Sequence, residues 1–583
     1  MNKRTSPILF TAVALALLSS QAHADSSSWV GTTDAQWSDL TNWSGGAAVP
    51  GTTDTATFNT AAGAGGSVID LGGAVTVQTL AFDTAAVAAY TIGTGAVGTD
   101  TLTLDNDGSI TVGADVVADQ TINANVVLGN TATASTYTFT NASATNSLSV
   151  AGNITGGAAA AKTLAVTGAG ATNLSGIISD GSATSLAITS SDAGTLTLSG
   201  VNTYSGGTTI NAGSTILADN NLALGSGTVT LTDTNATLAL GDGVNIVNAL
   251  TVANLGNAKT ITVAGTTAEY SGNITNSEYS KAFNLNATSG KTLTVSGVIS
   301  GNGTGALTLN GSGTVILSGN NTFARNVSLT ANNATLRLEN SNAAGDGTGT
   351  IQMRATTTVE LADGVTLANN FITTTGGGVK RILLDTGATA EVTGNINQVE
   401  TGGFSLNAQD SSQLTISGNL TGTQWFNVNG TGDVILSGAN THAGNLTFSG
   451  DGSLTLADGG SMTFFIEDAG VNNGITGNSV GGLLNLDGSF IFDLTGASTT
   501  VGDSWMVVDG TFTETYGNTF AVDSTVGSFT DLGGDVWGIV ENGVGYEFSE
   551  LTGELSVVVP EPSTYALLAG LLGLSYAMVR RRR

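Results

Sequence analysis

Cysteine is absent from this 583-residue chain, and histidine occurs only at His23 and His442. Disulfides therefore add nothing to stability, and structural zinc sites, which need several Cys or His ligands, are excluded. A catalytic triad would have to use His442, for which we predict a structural role in a corner of the fold. We assign no catalytic residue, no metal ligand and no cofactor.

Basic residues are also scarce, since the chain has 15 Lys and Arg against 44 Asp and Glu. Six of these 15 cations lie in the two terminal segments, so the body between them is strongly acidic. Such an excess of negative charge repels the phosphates of nucleic acids and anionic lipid headgroups. We therefore expect no nucleic-acid partner.

The body of the chain lacks helical periodicity, and Pro50 is its only proline. Short runs instead alternate polar and apolar residues, as in Thr195-Leu196-Thr197-Leu198, and Gly and Asn interrupt these runs every few positions. Alternation with a period of two, together with many β-branched residues, predicts short β-strands. The body is therefore predicted to be all-β.

The N-terminal segment carries an export pattern. Lys3 and Arg4 precede an apolar run over residues 8–18, and Ala22 and Ala24 form a small-residue cleavage pattern. This arrangement predicts a secretory signal peptide over residues 1–24, with cleavage after Ala24; a buried amphipathic helix is the alternative.

The C-terminal segment, residues 560–583, has three parts. Pro560-Glu561-Pro562 precede an apolar stretch over residues 565–579 and a terminal cluster of four arginines. A helix of that length covers about 25 Å, enough to cross a thin bilayer or to stop transfer. The arginines are expected to stay cytoplasmic, because positive charge beside a membrane segment resists translocation. The cluster comprises Arg580, Arg581, Arg582 and Arg583.

This order of motif, apolar helix and arginine cluster resembles the PEP-CTERM sorting signal of Gram-negative bacteria. The resemblance implies Sec export, transient anchoring in the inner membrane and cleavage by an exosortase near Pro560-Glu561-Pro562. It also implies delivery to the cell surface or to an extracellular polysaccharide matrix. An ordinary single-pass tail anchor is the alternative.

The body contains about three copies of one large unit. The segment GTLTLSGVNTY begins at Gly194, GTVILSGNNTF at Gly313 and GDVILSGANTH at Gly432, so the spacing is 119 residues both times. A unit of this length without helices indicates strands that stack in coils of about 20 to 25 residues. We predict a right-handed parallel β-helix over residues 68–460, with about 16 to 20 coils and a length of roughly 75 to 95 Å.

The segment over residues 194–213, GTLTLSGVNTYSGGTTINAG, resembles the autotransporter-associated β-strand repeat of large bacterial surface proteins. The copies at Gly313 and Gly432 match in their first halves and then diverge. The resemblance implies the β-helical fold and no chemistry.

Both ends of the predicted β-helix have aromatic regions. Trp29, Trp37 and Trp43 lie within 15 residues, and we predict that residues 25–67 cap the stack, where an open strand edge would otherwise pair with other chains. The alternative is an aromatic platform in which these three side chains are candidate carbohydrate contacts. Alternating runs over residues 490–494 and 505–508 predict antiparallel strands, and so a C-terminal β-sandwich-like cap over residues 461–559.

Two further chemistries have weak signals. Asp105-Asn106-Asp107-Gly108 resembles part of a calcium loop, but the spacing departs from the EF-hand pattern, and a plain turn is predicted. Some β-helical enzymes degrade polysaccharides with paired carboxylates, or with Asp-bound calcium and a basic residue. The Gly-His-Gly and Arg-Ile-Lys type motifs of pectin hydrolases are absent from the chain, and Arg381-Ile382-Leu383 is the nearest approach.

The sequence supports three hypotheses for function. We predict a non-enzymatic structural protein of the cell surface or matrix, whose polar faces make weak contacts with extracellular polysaccharide. The alternatives are an adhesin or carbohydrate-binding protein, which would use the aromatic regions, and a polysaccharide-degrading enzyme. The expected partners are the Sec machinery, an exosortase and polysaccharide.

Overall fold

The computed structural model describes residues 26–46, 48–94, 96–278, 281–560 and 564–582. Within these ranges, parallel strands stack as a β-solenoid of about 18 turns, which confirms the predicted all-β, parallel β-helical fold. Thr564–Arg580 is the one α-helix of the described residues, and Leu40–Asn42 is a short 3₁₀ helix.

Several residues of the predicted terminal signals lie outside the described ranges. They are the whole signal peptide with Ala22 and Ala24, and Glu561, Pro562 and Arg583.

Each turn of the solenoid passes three faces, which we call face 1, face 2 and face 3. Face 1 is the long path of a fifteen-stranded sheet and continues as a seven-stranded sheet. Its strands are Ser27–Ser28, Thr55–Phe58, Ala74–Phe82, Thr101–Val112, Ser135–Asn141, Ala161–Gly168, Ser185–Ala193, Thr208–Ile210, Val229–Leu231, Leu250–Val252, Ile274–Asn276 and Ile299–Ser300, then Thr366–Leu367, Thr389–Val392, Gln413–Ile416, Asp433–Leu436, Ser453–Leu456, Leu483–Leu486 and Thr513–Tyr516.

Face 2 is a sixteen-stranded sheet that is followed by a four-stranded sheet. Its strands are Val68–Ile69, Thr91–Ile92, Gln120–Ile122, Leu148–Val150, Thr172–Leu174, Thr195–Leu198, Thr215–Ala218, Thr237–Leu240, Lys259–Val263, Phe283–Asn286, Leu307–Leu309, Val327–Leu329, Thr350–Arg354, Asn370–Thr374, Ile396–Gln398 and Leu420–Gly422, then Ala439–Asn440, Ser461–Phe465, Ser489–Asp493 and Ala521–Ser524.

Face 3 begins as a side branch of the fifteen-stranded sheet and continues as a twelve-stranded sheet. Its strands are Asn125–Leu128, Ile154–Gly156 and Ile178–Ser179, then Val244–Ile246, Thr267–Tyr270, Thr292–Val295, Thr314–Leu317, Thr335–Leu338, Thr357–Leu361, Lys380–Leu384, Phe404–Ala408, Phe426–Gly430, Leu446–Phe448, Ile475–Gly477 and Val508–Gly510.

The core consists of apolar side chains that stack from turn to turn. Along each strand, buried and more exposed residues alternate, because successive side chains of a strand point to opposite sides. On face 2 the parallel register places one inward side chain of each turn directly above that of the turn before, and five of these in succession are 0% exposed. They are Leu196, Ile216, Leu238, Ile261 and Leu285.

The three sequence copies wind around the solenoid. Five further strands of face 2 follow Thr195–Leu198 before the chain reaches Thr314–Leu317 on face 3. Five further strands of face 3 then follow before Asp433–Leu436 on face 1. One unit of 119 residues therefore makes five and one third turns and advances roughly 26 Å. Each copy of the motif thus lies on a different face.

The solenoid extends beyond the predicted boundary at residue 460. Ser489–Asp493, which we predicted to be antiparallel, pairs in parallel with Ser461–Phe465 and Ala521–Ser524. The prediction was wrong because alternation with a period of two is the same in parallel and antiparallel strands.

A five-stranded antiparallel sheet closes the C-terminal end. The second layer of this cap is the solenoid itself, since the ring centroid of Phe548 lies 5.7 Å from those of both Phe490 and Phe492. The cap strands, in sheet order, are Ser504–Met506, Glu554–Val558, Val544–Ser549, Val536–Glu541 and Thr530–Asp531.

Deletion of one complete unit, residues 314–432, tests the winding of the copies. It joins Gly313 to Asp433 and places Asp433–Leu436 on face 3, above Thr292–Val295, where Thr314–Leu317 now pairs. Because the two strands have equivalent sequences, we expect a folded rod that is shorter by roughly 26 Å, measured as the maximum dimension in small-angle X-ray scattering.

A second deletion, of residues 314–415, is the control. It joins Gly313 to Ile416 and leaves one residue of the strand Gln413–Ile416 at the junction. We expect a lower thermal midpoint for this variant. If the first variant aggregated, or if its thermal midpoint fell as far as that of the control, this would contradict the winding in which each unit moves the motif to the next face.

Candidate functional site

The three tryptophans near the N-terminus form the closed end of the core. Trp29, Trp37 and Trp43 are 0%, 2% and 1% exposed. The ring of Trp43 lies 5.1 Å from Trp29 and 4.7 Å from Trp37, and all three rings pack around Phe58. The alternative in which they contact carbohydrate is wrong, because no ring face is available to a sugar.

The repeated motif contains a buried asparagine that links successive turns. Asn202, Asn321 and Asn440 occupy the same place in the three copies and are 2%, 2% and 1% exposed. Among the described strands, face 3 has none between Ile178–Ser179 and Val244–Ile246, and Asn202 lies in this gap. The asparagine amide takes the place of the missing backbone ladder there.

The hydrogen bonds of Asn321 are typical of all three copies. Its Oδ1 accepts a hydrogen bond from the backbone N–H of Ile299 at 2.7 Å, and its Nδ2 donates to the carbonyl of Ala343 at 2.6 Å. Asn202 makes the same pair of bonds at 2.8 and 2.6 Å, and Asn440 at 3.1 and 3.0 Å. Each side chain thus connects the turn before it with the turn after it.

The aromatic position of the motif points into the core. Tyr204 and Phe323 are buried, and the Tyr204 hydroxyl is hydrogen-bonded to Thr208 Oγ1 at 2.6 Å. Gly345 has a positive φ of 96° in the next turn, where a Cβ would lie 2.8 Å from the ring of Phe323. Aromatic ring and glycine therefore fit together across the turn.

His442 occupies this aromatic position in the third copy. It is 0% exposed, and neither ring nitrogen has a hydrogen-bond partner. Its ring centroid lies 4.9 Å from that of Phe426, and burial lowers the pKa of His442 to about 4. A neutral imidazole with no access to solvent cannot exchange protons with a substrate.

Four of the nine cations in the body are buried. Lys259 Nζ lies 2.5 Å from Glu278 Oε2 in an ion pair whose side chains are 0% and 1% exposed. Arg325 donates hydrogen bonds to backbone carbonyls, including that of Asn276 at 3.0 Å. The other two buried cations are Lys162 and Lys380. The outer surface is therefore more acidic than the composition suggests.

The candidate calcium loop is a bend within a strand. Asp107 has a positive φ of 57°, and its Oδ1 accepts a hydrogen bond from the backbone N–H of Thr136 at 3.0 Å. Across the described ranges, no group of three or more His, Cys, Asp and Glu side chains is arranged to hold a metal ion.

One tryptophan that our sequence analysis did not single out is exposed. Trp425 directly precedes Phe426–Gly430 on face 3 and is 37% exposed. The signal that could have found it is a comparison of the copies, since the positions 119 and 238 residues earlier are Ala306 and Ala187. Trp425 lies seven residues before the third copy of the motif, and alanine occupies the same place before the other two copies.

Pro560, the first residue of the predicted sorting motif, lies where the folded cap ends. Pro560 follows Glu554–Val558 by two residues, and Val559 between them is 69% exposed. Arg581 and Arg582 follow the helix Thr564–Arg580 and are exposed. No helix in the described part of the chain combines the length and apolar character needed to cross a membrane.

The family model for the passenger-associated transport repeat matches three segments of the chain, residues 188–217, 307–338 and 426–456. The matched segments begin 119 residues apart and contain the three buried asparagines. This confirms the predicted autotransporter-associated repeats. No curated protein sequence matches the chain.

Substitution of Asn321 by alanine tests the role of the buried amide. The change leaves the backbone N–H of Ile299 and the carbonyl of Ala343 unpaired, at a cost of roughly 1–3 kcal/mol for each. We expect hydrogen exchange of the amides at 299 and 300, followed by mass spectrometry, to be at least about tenfold faster. The control is Asn320→Ala, because Asn320 is the exposed neighbour; equal exchange in both variants would contradict the linking role.

The substitution His442→Phe gives the third copy the side chain that the second copy has at this position, Phe323. In the wild-type protein the folded-state pKa of about 4 is below that of an unfolded histidine, about 6.5. The unfolded chain therefore takes up a proton first, and stability falls by about 3 kcal/mol as the pH is lowered from about 6.5 to about 4. We expect His442→Phe to remove this part of the pH dependence, measured as the thermal midpoint of both proteins between pH 4 and 7. If the thermal midpoints of the two proteins changed with pH in the same way, this would contradict the lowered pKa of His442.

Proposed function

We propose that this chain is a non-enzymatic structural protein of the cell surface or extracellular matrix of a Gram-negative bacterium. The observation that supports this most strongly is the set of three passenger-type repeats within one β-solenoid of about 18 turns. Such repeats on this fold fit a secreted surface protein.

The shape suits the role of a spacer. About 18 turns at roughly 4.8 Å each give a rod of roughly 85 Å. Parallel strands protect one another except at the two ends, and here one end is closed by the three tryptophans and the other by the antiparallel sheet.

A non-enzymatic role is favoured by the chemistry of the body. Outside the predicted signal peptide the only histidine is His442, which is buried and neutral at ordinary pH. The rival function is degradation of polysaccharides, and its test is the release of reducing or unsaturated sugars by purified protein. We expect no release above the rate of a heat-denatured sample.

We further propose that the chain is exported by Sec, held transiently at the inner membrane by its C-terminal helix, and then processed by an exosortase. The motif at Pro560 follows Glu554–Val558, which is paired on both sides within the cap. Cleavage there would leave the folded cap intact. The helix has exposed leucines, with Leu571, Leu572 and Leu574 at 60%, 61% and 59%, and such side chains favour an apolar surrounding.

Replacement of Pro560-Glu561-Pro562 by three alanines tests this route. In the native host we expect the variant to remain in the inner-membrane fraction with an intact C-terminus, because the sorting enzyme no longer recognises its motif. The wild-type protein is expected outside this fraction and shortened at its C-terminus. Mass spectrometry of the C-terminal peptide in each fraction measures both.

The control for this experiment is Leu551→Ala, a change at a position of the cap that is 82% exposed and should be processed normally. Wild-type protein that keeps Arg583 and remains in the inner membrane would overturn the proposal and would favour an ordinary tail anchor.

A further inference from the structure

The exposed Trp425 lies at one side of a shallow groove on face 3. The groove has a volume of about 720 Å³ and is lined by small and polar residues beside the indole ring. A second depression of about 370 Å³ lies beside it, and Thr447 lines both. The lining of the first includes Thr423, Gln424, Gly444, Asn445 and Thr447.

The indole ring of Trp425 is held in place from below. Gly403 lies under it, and a Cβ at Gly403 would be 2.4 Å from carbon atoms of the ring. Gly403 precedes Phe404 and corresponds to Ala282 before Phe283 in the preceding unit, where Ala306 takes the place of Trp425. Glycine therefore occurs at the first of these two positions where tryptophan occurs at the second, and alanine occurs at both where the ring is missing.

Polar side chains of the groove are fixed by hydrogen bonds along the stack. Asn445 Oδ1 accepts a hydrogen bond from the backbone N–H of Gly474 at 3.0 Å, and Asn427 Oδ1 accepts one from Ser449 Oγ at 2.8 Å. The hydroxyls of Thr447 and Thr476 are 3.4 Å apart. An apolar ring next to ordered amides and hydroxyls matches a ligand that has apolar faces and hydroxyl edges.

The charge of this region restricts the ligand further. No Lys or Arg lines either depression, and Arg381, an exposed cation in the same outward row of face 3, lies two turns before Asn427. Asp509, in the second depression, adds a negative charge. An anionic polysaccharide would be repelled there.

We propose that this groove binds a neutral polysaccharide, with one sugar ring stacked on the indole of Trp425. Hydroxyl groups of the sugar exchange hydrogen bonds with the side chains of Asn445 and Thr447. The inference rests on the proposed function for the presence of polysaccharide around the exported rod. It makes the third repeat a binding unit, while the first two copies, with alanine at this position, are spacers.

Affinity electrophoresis of the purified full-length chain in detergent tests the proposal. Native gels contain dextran, barley β-glucan or galactomannan as neutral probes, or alginate as an anionic one. We expect at least one neutral polysaccharide to retard the protein and alginate to have no effect. Retardation by alginate alone, or by no neutral probe, would overturn the proposal.

The matched variant is Trp425→Ala, which restores the residue of the other two copies and should fold normally. We expect it to weaken binding at least about tenfold. Thr447→Val, which replaces a hydroxyl by a methyl group of similar size, should weaken binding less. Trp537→Phe is the control, since Trp537 lies in the cap, where its Nε1 donates a hydrogen bond to Glu550.

Unchanged retardation of Trp425→Ala would place the site elsewhere and overturn the inference. Binding by the full-length chain does not depend on processing of its C-terminus. A failure here therefore leaves the sorting experiment unaffected, and a failure of sorting leaves the binding result unaffected.

Discussion

The structure depends on parallel backbone hydrogen bonds between successive turns on three faces. These bonds require each strand to lie directly above its predecessor, and this register is what aligns Leu196, Ile216 and Leu238 in one buried ladder. A shift of one residue would turn such a ladder outward. Because no disulfide reinforces the stack, stability comes from this repeated pairing and from the aromatic clusters that close its ends.

Where the pairing is interrupted, the motif repairs it. Asn202 and Asn321 bridge three turns at gaps in faces 3 and 1, with hydrogen bonds between 2.6 and 2.8 Å. An asparagine side chain carries the same donor and acceptor as a peptide group, and so it can replace one. The motif therefore persists through the three copies for a structural reason. Since each unit makes five and one third turns, the repairs are distributed over all three faces and do not weaken one of them.

The sequence predicted the solenoid because its signals are periodic. The 119-residue spacing and runs such as Thr195-Leu196-Thr197-Leu198 are local patterns that any stacked fold must carry. The prediction from sequence failed for features that are set by contacts between one turn and the next. Alternation could not show that Ser489–Asp493 pairs in parallel, and composition could not show that Trp29 is buried. Trp425 was missed because the residues beside it in the sequence do not show that its ring lies on the surface; Gly403, over which the ring packs, is one turn earlier.

The burial of Lys162, Lys259, Arg325 and Lys380 has a consequence for how such rods stand beside one another. With these cations in the interior, acidic side chains outnumber the remaining basic side chains on the outside by a wide margin. Neighbouring molecules in a crowded layer then repel sideways, over a range set by the Debye length of roughly 8 Å at physiological ionic strength. If the rods form a layer, as proposed, the spacing between them would therefore increase at low salt and decrease at high salt.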